Sequence, residues 1–195
     1  MKQAVKATFL LLCSAFLTFR SVELVRQVLA SKSGDLSTSE ELIVGLLLTI
    51  FVTGIFALPG FALPTSRLLP NRYYQIKHPK VLLIWYKRLN VELFRKFLLV
   101  TFWAGTQNRK RYFDGTRAGF DNLIFQSKQS ESGHLMPLII IQIVAIAALA
   151  KGFTYIFVIA TFINIIGNFY PIPLQRMHRY RIMRLSQRSM KSAAH

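Results

Sequence analysis

The strongest constraint on the fold is an apolar stretch at residues 42–63, which contains 22 residues and no charged side chain. An α-helix needs about 20 apolar residues to cross the hydrocarbon core of a bilayer. A helix is stable there because it satisfies its backbone polar groups within one segment. The stretch therefore predicts a transmembrane helix, and we expect an all-α integral membrane protein with a single membrane domain over residues 1–195.

Three more apolar stretches, at about residues 5–29, 135–150 and 153–172, bring the expected number of transmembrane helices to four. The last two are separated only by Lys151 and Gly152, which predicts a helical hairpin. All four stretches are expected to lie in one multi-pass membrane protein.

The stretch at about residues 5–29 is interrupted by three charged residues, Arg20, Glu23 and Arg26. Their spacing of three places them on one helix face, where they can pair. A cleaved signal peptide is the alternative, because residues 28–30 resemble a cleavage site. We favour a retained membrane helix, because charges between the apolar run and that site are not typical of a signal peptide.

The composition combines 52% hydrophobic residues with a net charge of +17. This combination is typical of a membrane protein with basic loops, and a soluble nucleic-acid-binding domain has no need for such long apolar stretches. We therefore expect membrane lipids as partners and no nucleic acid. The single cysteine excludes a disulfide framework, and no Cys/His spacing indicates structural zinc, so no metal is expected.

The distribution of positive charge predicts the orientation. Residues 66–134 contain 13 Lys and Arg against 4 Asp and Glu, and residues 173–195 contain six Lys and Arg and no acid. The positive-inside rule places both segments and both termini in the cytoplasm, with the protein in the cell (inner) membrane. Short apolar pieces at residues 81–86 and 97–104, flanked by Lys and Arg, predict amphipathic helices in the membrane interface.

A titratable cluster lies where the basic loop meets the third apolar stretch. Ser127, Glu131 and His134 are spaced four and three residues apart, so on a helix they share one face. His134 is predicted to be a general base and Glu131 to orient it. Ser127 is a weaker candidate nucleophile, because no nucleophile-elbow glycines surround it. Pro137 fits either the first turn of a new helix or a kink.

Two alternatives remain for this cluster. Glu131 and His134 could lie among lipid headgroups and cap a helix. They could also bind a metal, but a site would need a third ligand from His178 or Asp114.

Other polar residues predict substrate contacts. Asn164 and Asn168, four residues apart in the last apolar stretch, form an amide stripe that is expected to face the acceptor. The tail is predicted to hold phosphates of a donor, because arginine binds phosphate bidentately; its residues are Gln175, Arg176, Arg179 and Arg181. The residues further along are equally explained by attraction to anionic lipid; they are Arg184, Arg188 and Lys191.

These motifs resemble a known family. Residues 127–134 fit Ser/Thr-Lys-x-Ser/Ala-Glu-x-x-His, and residues 171–181 fit Pro-Ile-x-x-Gln-Arg-x-x-Arg-x-Arg. With the Tyr-Phe-Asp-Gly turn at residues 112–115, they resemble the glycosyl-diaponeurosporenoate acyltransferase family of bacterial carotenoid pathways. The resemblance covers roughly residues 67–185.

The resemblance implies transfer of a fatty acyl group from acyl-CoA to a hydroxyl of a lipid or glycosyl-carotenoid acceptor. No bound cofactor is expected, and acyl-CoA is the expected donor substrate. The alternative is a non-catalytic membrane adaptor, whose basic face would dock anionic lipid or a partner protein.

Overall fold

The computed structural model describes residues 2–101 and 119–193, and every regular element in them is helical. A 3-10 turn at Thr65–Leu68 precedes α3, and a π-helical turn at Ile165–Phe169 joins α7 to α8. The α-helices are α1 (Lys2–Ala30), α2 (Thr38–Gly60), α3 (Asn71–Tyr74), α4 (Pro79–Arg88), α5 (Val91–Thr101), α6 (Gly119–Ala150), α7 (Thr154–Asn164) and α8 (Pro171–Ala193).

Four helical runs are long and apolar enough to cross a membrane, namely α1, α2, α6 and the run Thr154–Gln187 that contains α7 and most of α8. The prediction of an all-α integral membrane protein with four spanning helices is confirmed. The bounds differ from the expected ones, since α6 begins at Gly119 and not near residue 135. Pro137 lies inside α6 and does not begin a new helix.

The chain divides into two compact units, which are described separately. The first unit comprises Met1–Thr65 and Ser132–Phe169, and the second comprises Ser66–Glu131 and Tyr170–His195. Each unit thus combines two segments that are distant in the sequence.

In the first unit, α2 packs against both α1 and α7. Its core is formed by small and branched side chains that interlock between the helices; they are Leu48, Val52, Ile141, Ala145 and Ala160. Gly45 lets α2 approach α7 closely, because a Cβ there would lie 2.4 Å from a side-chain carbon of Ile159 and 3.0 Å from the Ile156 carbonyl oxygen. Small residues have this role at membrane helix interfaces.

Two further contacts fix α2 in the first unit. Pro59 lies inside α2 and has no N–H, so the carbonyl of Ile55 lacks its usual helical donor. The hydroxyl of Ser14 on α1 donates to that carbonyl at 2.9 Å. At the other end of α2, the carboxylate of Glu41 accepts from the backbone N–H of Tyr155 at 2.9 Å. An acidic group at the N-terminal end of α7 is favoured by the helix dipole.

We expect Gly45→Ala to destabilise the first unit, because the new methyl group would meet the Ile156 backbone, which cannot move as a side chain can. Overpacking of this kind costs about 1–3 kcal/mol. Thermal unfolding of the purified protein in detergent measures the effect. Gly133→Ala is the matched control, since a Cβ there has its nearest neighbour at an ordinary 3.9 Å. Equal unfolding temperatures for the two variants would contradict the close-packing argument.

In the second unit, α4, α5 and α8 share a core that includes Tyr86, Val91, Leu174 and Met177. The opposite faces of α4 and α5 also carry exposed apolar side chains, among them Val81, Ile84 and Trp85 on α4, and Leu93 and Phe97 on α5. Helices that are apolar on an outer face and flanked by Lys and Arg are typical of the membrane interface. The predicted apolar piece at residues 97–104 is described only as far as residue 101.

Candidate functional site

A chain of buried amides lies in the first unit. The Asn164 Nδ2 group donates to the carbonyl of Leu138 at 2.9 Å. The Asn168 Nδ2 group donates to Asn164 Oδ1 at 3.0 Å and to Thr53 Oγ1 at 3.0 Å. Both asparagines are fully buried. The amides therefore satisfy one another in an apolar surrounding, where an unpaired polar group would be costly.

His134 lies at the Asn168 end of this chain of buried amides. Its Nδ1 atom lies 3.3 Å from Asn168 Oδ1, and the ring also lies beside the backbone of Gly167 in the π turn. Pro137, three residues further along α6, has no N–H, so the carbonyl of Gly133 loses its usual helical donor. The first unit thus brings the His134 imidazole to the buried amide of Asn168, and the residue before His134 has a carbonyl without its helical donor.

The second unit contains a separate, ionic cluster around Glu131, whose side chain is 0% exposed. Its Oε1 atom accepts from Arg176 Nε at 2.8 Å, and its Oε2 atom pairs with Arg179. Arg179 is itself only 6% exposed and also donates to Ser127 Oγ at 2.8 Å. The Ser127 hydroxyl donates to the carbonyl of Gln175 at 2.9 Å. A buried carboxylate is retained in this way only when it is paired and hydrogen-bonded.

Two tyrosines cover the arginines of this cluster. The guanidinium of Arg176 lies 5.1 Å from the ring centre of Tyr73, and that of Arg179 lies 5.6 Å from the ring centre of Tyr74. Both distances are typical of cation–π contacts. Burial, with the negative charge of Glu131, raises the pKa of Tyr73 to about 12. The Tyr73 hydroxyl therefore stays protonated at neutral pH.

Arg181 belongs to a more exposed group in the second unit. It lies 3.6 Å from Glu92 Oε2, with its side chain 47% exposed. The hydrogen bonds from Arg95 hold the pKa of Glu92 down at about 2. Tyr86 donates to the same carboxylate at 2.8 Å. Burial raises the pKa of the Tyr86 hydroxyl to about 12. The guanidinium of Arg181 is thus positioned by Glu92 but remains open to solvent.

The predicted site residues are therefore distributed over the two buried clusters and, for Arg181, the more exposed group around Glu92. The side chain at His134 Nδ1 is Asn168 and not Glu131, whose two oxygens bind arginines, so the prediction that Glu131 orients His134 is corrected. Both hydrogens of the Asn168 amide are donated to protein partners, so its NH₂ group is not free to donate to an acceptor. The Ser127 hydroxyl has a structural hydrogen bond to a carbonyl.

The predicted phosphate-binding arginines differ in exposure. Arg179 is buried, whereas Arg176 and Arg181 are 36% and 47% exposed, so only the latter two present their charge to solvent. Gln175 takes part in the ionic cluster through its backbone carbonyl. Arg184 stacks on Tyr180. In α8 the structure describes side chains as far as residue 187, which leaves out those of Arg188 and Lys191.

Sequence reasoning missed Thr53, the carbonyl of Leu138 and the two tyrosines Tyr73 and Tyr74. The threonine is an ordinary residue in an apolar stretch, and a backbone carbonyl has no sequence signal. Two adjacent tyrosines beside Arg72, in a basic segment, could have indicated aromatic rings that make cation–π contacts with arginines. The Tyr-Phe-Asp-Gly turn at residues 112–115, including Asp114, lies outside the described residues.

Within residues 2–101 and 119–193, no group of three or more His, Cys, Asp or Glu side chains is placed to hold a metal ion. Glu131 is held by arginines, which repel a cation. The alternative of a metal bound by Glu131 and His134 therefore has no support from these contacts.

Fold and side chains together define an all-α integral membrane protein with buried polar clusters, one with a histidine held by amides and one with a carboxylate held by arginines. The sequence model of the glycosyl-4,4'-diaponeurosporenoate acyltransferase family matches residues 70–188, so the chain belongs to this family. This confirms the resemblance seen in the motifs at residues 127–134 and 171–181. Comparison with curated proteins and with solved structures gave no match. Family membership implies an acyltransferase of carotenoid biosynthesis.

Proposed function

We propose that the protein transfers a fatty acyl group from acyl-CoA to a hydroxyl of a lipid or glycosyl-carotenoid acceptor at the cytoplasmic face of the cell membrane. The family supports acyl transfer in carotenoid biosynthesis. The observation that carries the mechanism is the hydrogen bond between His134 and the buried amide of Asn168. The excess of Lys and Arg in residues 66–134 and 173–195 supports cytoplasmic termini and a cytoplasmic site.

In the proposed reaction, His134 takes the proton of the acceptor hydroxyl while the oxygen attacks the thioester carbonyl of the donor. A C–O bond forms, the C–S bond breaks, and the proton passes from the imidazolium to the departing CoA thiolate. The products are an ester and free CoA, so no oxidant, reductant or metal is needed. A positioned base of this kind contributes about 10²–10⁴-fold to the rate.

In the second unit, the exposed arginines Arg176 and Arg181 are the proposed partners of the donor's phosphates. Each is held by a carboxylate that leaves part of its guanidinium free to bind a second anion. The buried Arg179 is assigned to the support of Arg176 through their shared partner Glu131. The arginine fork matches phosphate geometry in a way that lysine does not.

We therefore expect Arg181→Lys to raise the KM for acyl-CoA several-fold while changing kcat little, because the lysine keeps the charge but loses the bidentate contact. Arg184→Lys is the matched control on the same helix. Steady-state kinetics with labelled acyl-CoA measure both. An equal change of KM in the two variants would favour general attraction to anionic lipid over a phosphate site.

The proposed function itself is tested with the purified full chain in liposomes, a labelled acyl-CoA and lipid extracts from carotenoid-producing membranes. The expected result is a labelled, alkali-labile lipid and release of one free thiol for each ester formed. Thiol release without labelled lipid would mean hydrolysis and would contradict acyl transfer. If neither product appears with any extract, including that of the native membrane, the adaptor function is preferred.

A further inference from the structure

We propose that the amide chain of the first unit determines which nitrogen of His134 acts as the base, with Asn164 and Asn168 as positioning residues. This inference rests on the function proposed above. It concerns the hydrogen on the imidazole ring, and it follows from the direction of each hydrogen bond in the chain.

The carbonyl of Leu138, at the end of the amide chain opposite His134, sets the direction of the hydrogen bonds. A carbonyl oxygen accepts and never donates, so the Asn164 group that faces it must be the NH₂ group. The oxygen of Asn164 then faces Asn168 and accepts from its NH₂ group. The orientation of both amides is thereby fixed, although an isolated amide can be placed either way round.

The orientation of Asn168 also fixes the position of the hydrogen on the ring. The two hydrogens of Asn168 Nδ2 are used by Asn164 and Thr53, and its oxygen is turned to His134 Nδ1. An amide oxygen accepts, so Nδ1 must carry the hydrogen. In the neutral ring the lone pair is then on Nε2, which becomes the nitrogen that takes the proton of the acceptor hydroxyl.

The hydrogen bond at Nδ1 also stabilises the charged ring that forms during the reaction. When Nε2 takes a proton, the Nδ1–H group keeps its acceptor, and hydrogen bonds to a charged group are stronger than those to a neutral one. Within the described part of the first unit, the groups that face the ring are the Asn168 amide and the backbone of Gly167. Neither of these groups titrates, so the titration of the ring is not coupled to that of a neighbouring group.

The direct test is ¹⁵N NMR of the full chain in detergent with labelled histidine. The chain has four histidines, and the signals of His134 are assigned by their loss in His134→Gln. At alkaline pH we expect Nδ1 to show the shift of a protonated ring nitrogen and Nε2 that of a nitrogen with a lone pair. The opposite pair of shifts would overturn the proposal, and it would do so whether or not the protein is active.

Kinetics give a second test. Asn168→Ala should lower kcat at least about 10-fold, within the range that a positioned base supplies, and leave the KM for acyl-CoA nearly unchanged. Asn168→Asp keeps an acceptor at Nδ1 but adds a charge that stabilises the imidazolium. Its rate should partly recover, and the acidic limb of its pH–rate profile should move to higher pH.

The matched control is Thr161→Val, which removes a hydrogen bond between α6 and α7 that lies outside the amide chain. It should keep the full rate and an unchanged pH profile. Full activity of Asn168→Ala together with inactive His134→Ala would overturn the positioning role and leave the proposed function intact. Full activity of both variants would instead remove His134 from the reaction.

Discussion

The His134→Ala variant is expected to lose about 10²–10⁴-fold in the rate of acyl transfer, the contribution of a positioned general base. A hydroxyl is a poor nucleophile at neutral pH until a base removes its proton during attack. His134 is the histidine of the first unit, and the buried amide of Asn168 holds its Nδ1 side. The loss should appear in kcat, because His134 is not assigned to donor binding.

The measurement is initial-rate acylation in liposomes at equal amounts of folded protein. His134→Gln is the second variant, since it keeps a polar side chain for Asn168 but has no group that takes a proton at neutral pH. Both variants should be equally inactive if the base is what matters. A rate equal to that of the unmutated protein in either variant would show that another group removes the proton.

The second large effect concerns stability. Glu131→Ala is expected to lower the free energy of unfolding by about 3–5 kcal/mol, because it leaves a buried cation without its counter-charge. Arg179 is 6% exposed and would lose its carboxylate partner without gaining water. Thermal and denaturant unfolding in detergent measure this loss.

A matched surface pair separates this effect from loss of charge in general. Glu92 and Arg95 also form an ion pair, but the Glu92 side chain is 39% exposed. Glu92→Gln should therefore cost only about 0–1 kcal/mol, as is usual for exposed pairs. Replacing both members of the buried pair, as in Glu131→Leu with Arg179→Met, should recover much of the loss. A double variant as unstable as Glu131→Ala alone would contradict the buried-cation explanation.

The spanning helices were predictable because their signal is local. A run such as residues 42–63 has no charge to place in lipid, and its length alone indicates a span. The start of α6 was not predictable in the same way. Residues 127–134 are polar, which favoured a loop, but Ser127 and Glu131 bind partners on α8 that are about 50 residues away in the sequence.

Helical spacing predicted the side-chain partners in one cluster but not in the other. Helical spacing correctly placed Asn164 and Asn168 side by side, since residues four apart are neighbours on a helix. The same rule suggested a pair between Glu131 and His134, which are three apart. Glu131 instead pairs with Arg176 and Arg179. A buried carboxylate is stabilised more by two guanidinium groups than by one imidazole ring.

The proline in α2 has a consequence for how the chain enters the membrane. Without Pro59 the Ile55 carbonyl would be satisfied within α2, and that helix could insert alone. With Pro59 present, its donor is the Ser14 hydroxyl, which belongs to the helix that is synthesised first. An unpaired carbonyl in hydrocarbon is costly, so we expect α2 to enter lipid more readily when α1 is already in place. The pair α1 and α2, rather than α2 alone, therefore satisfies this carbonyl in lipid.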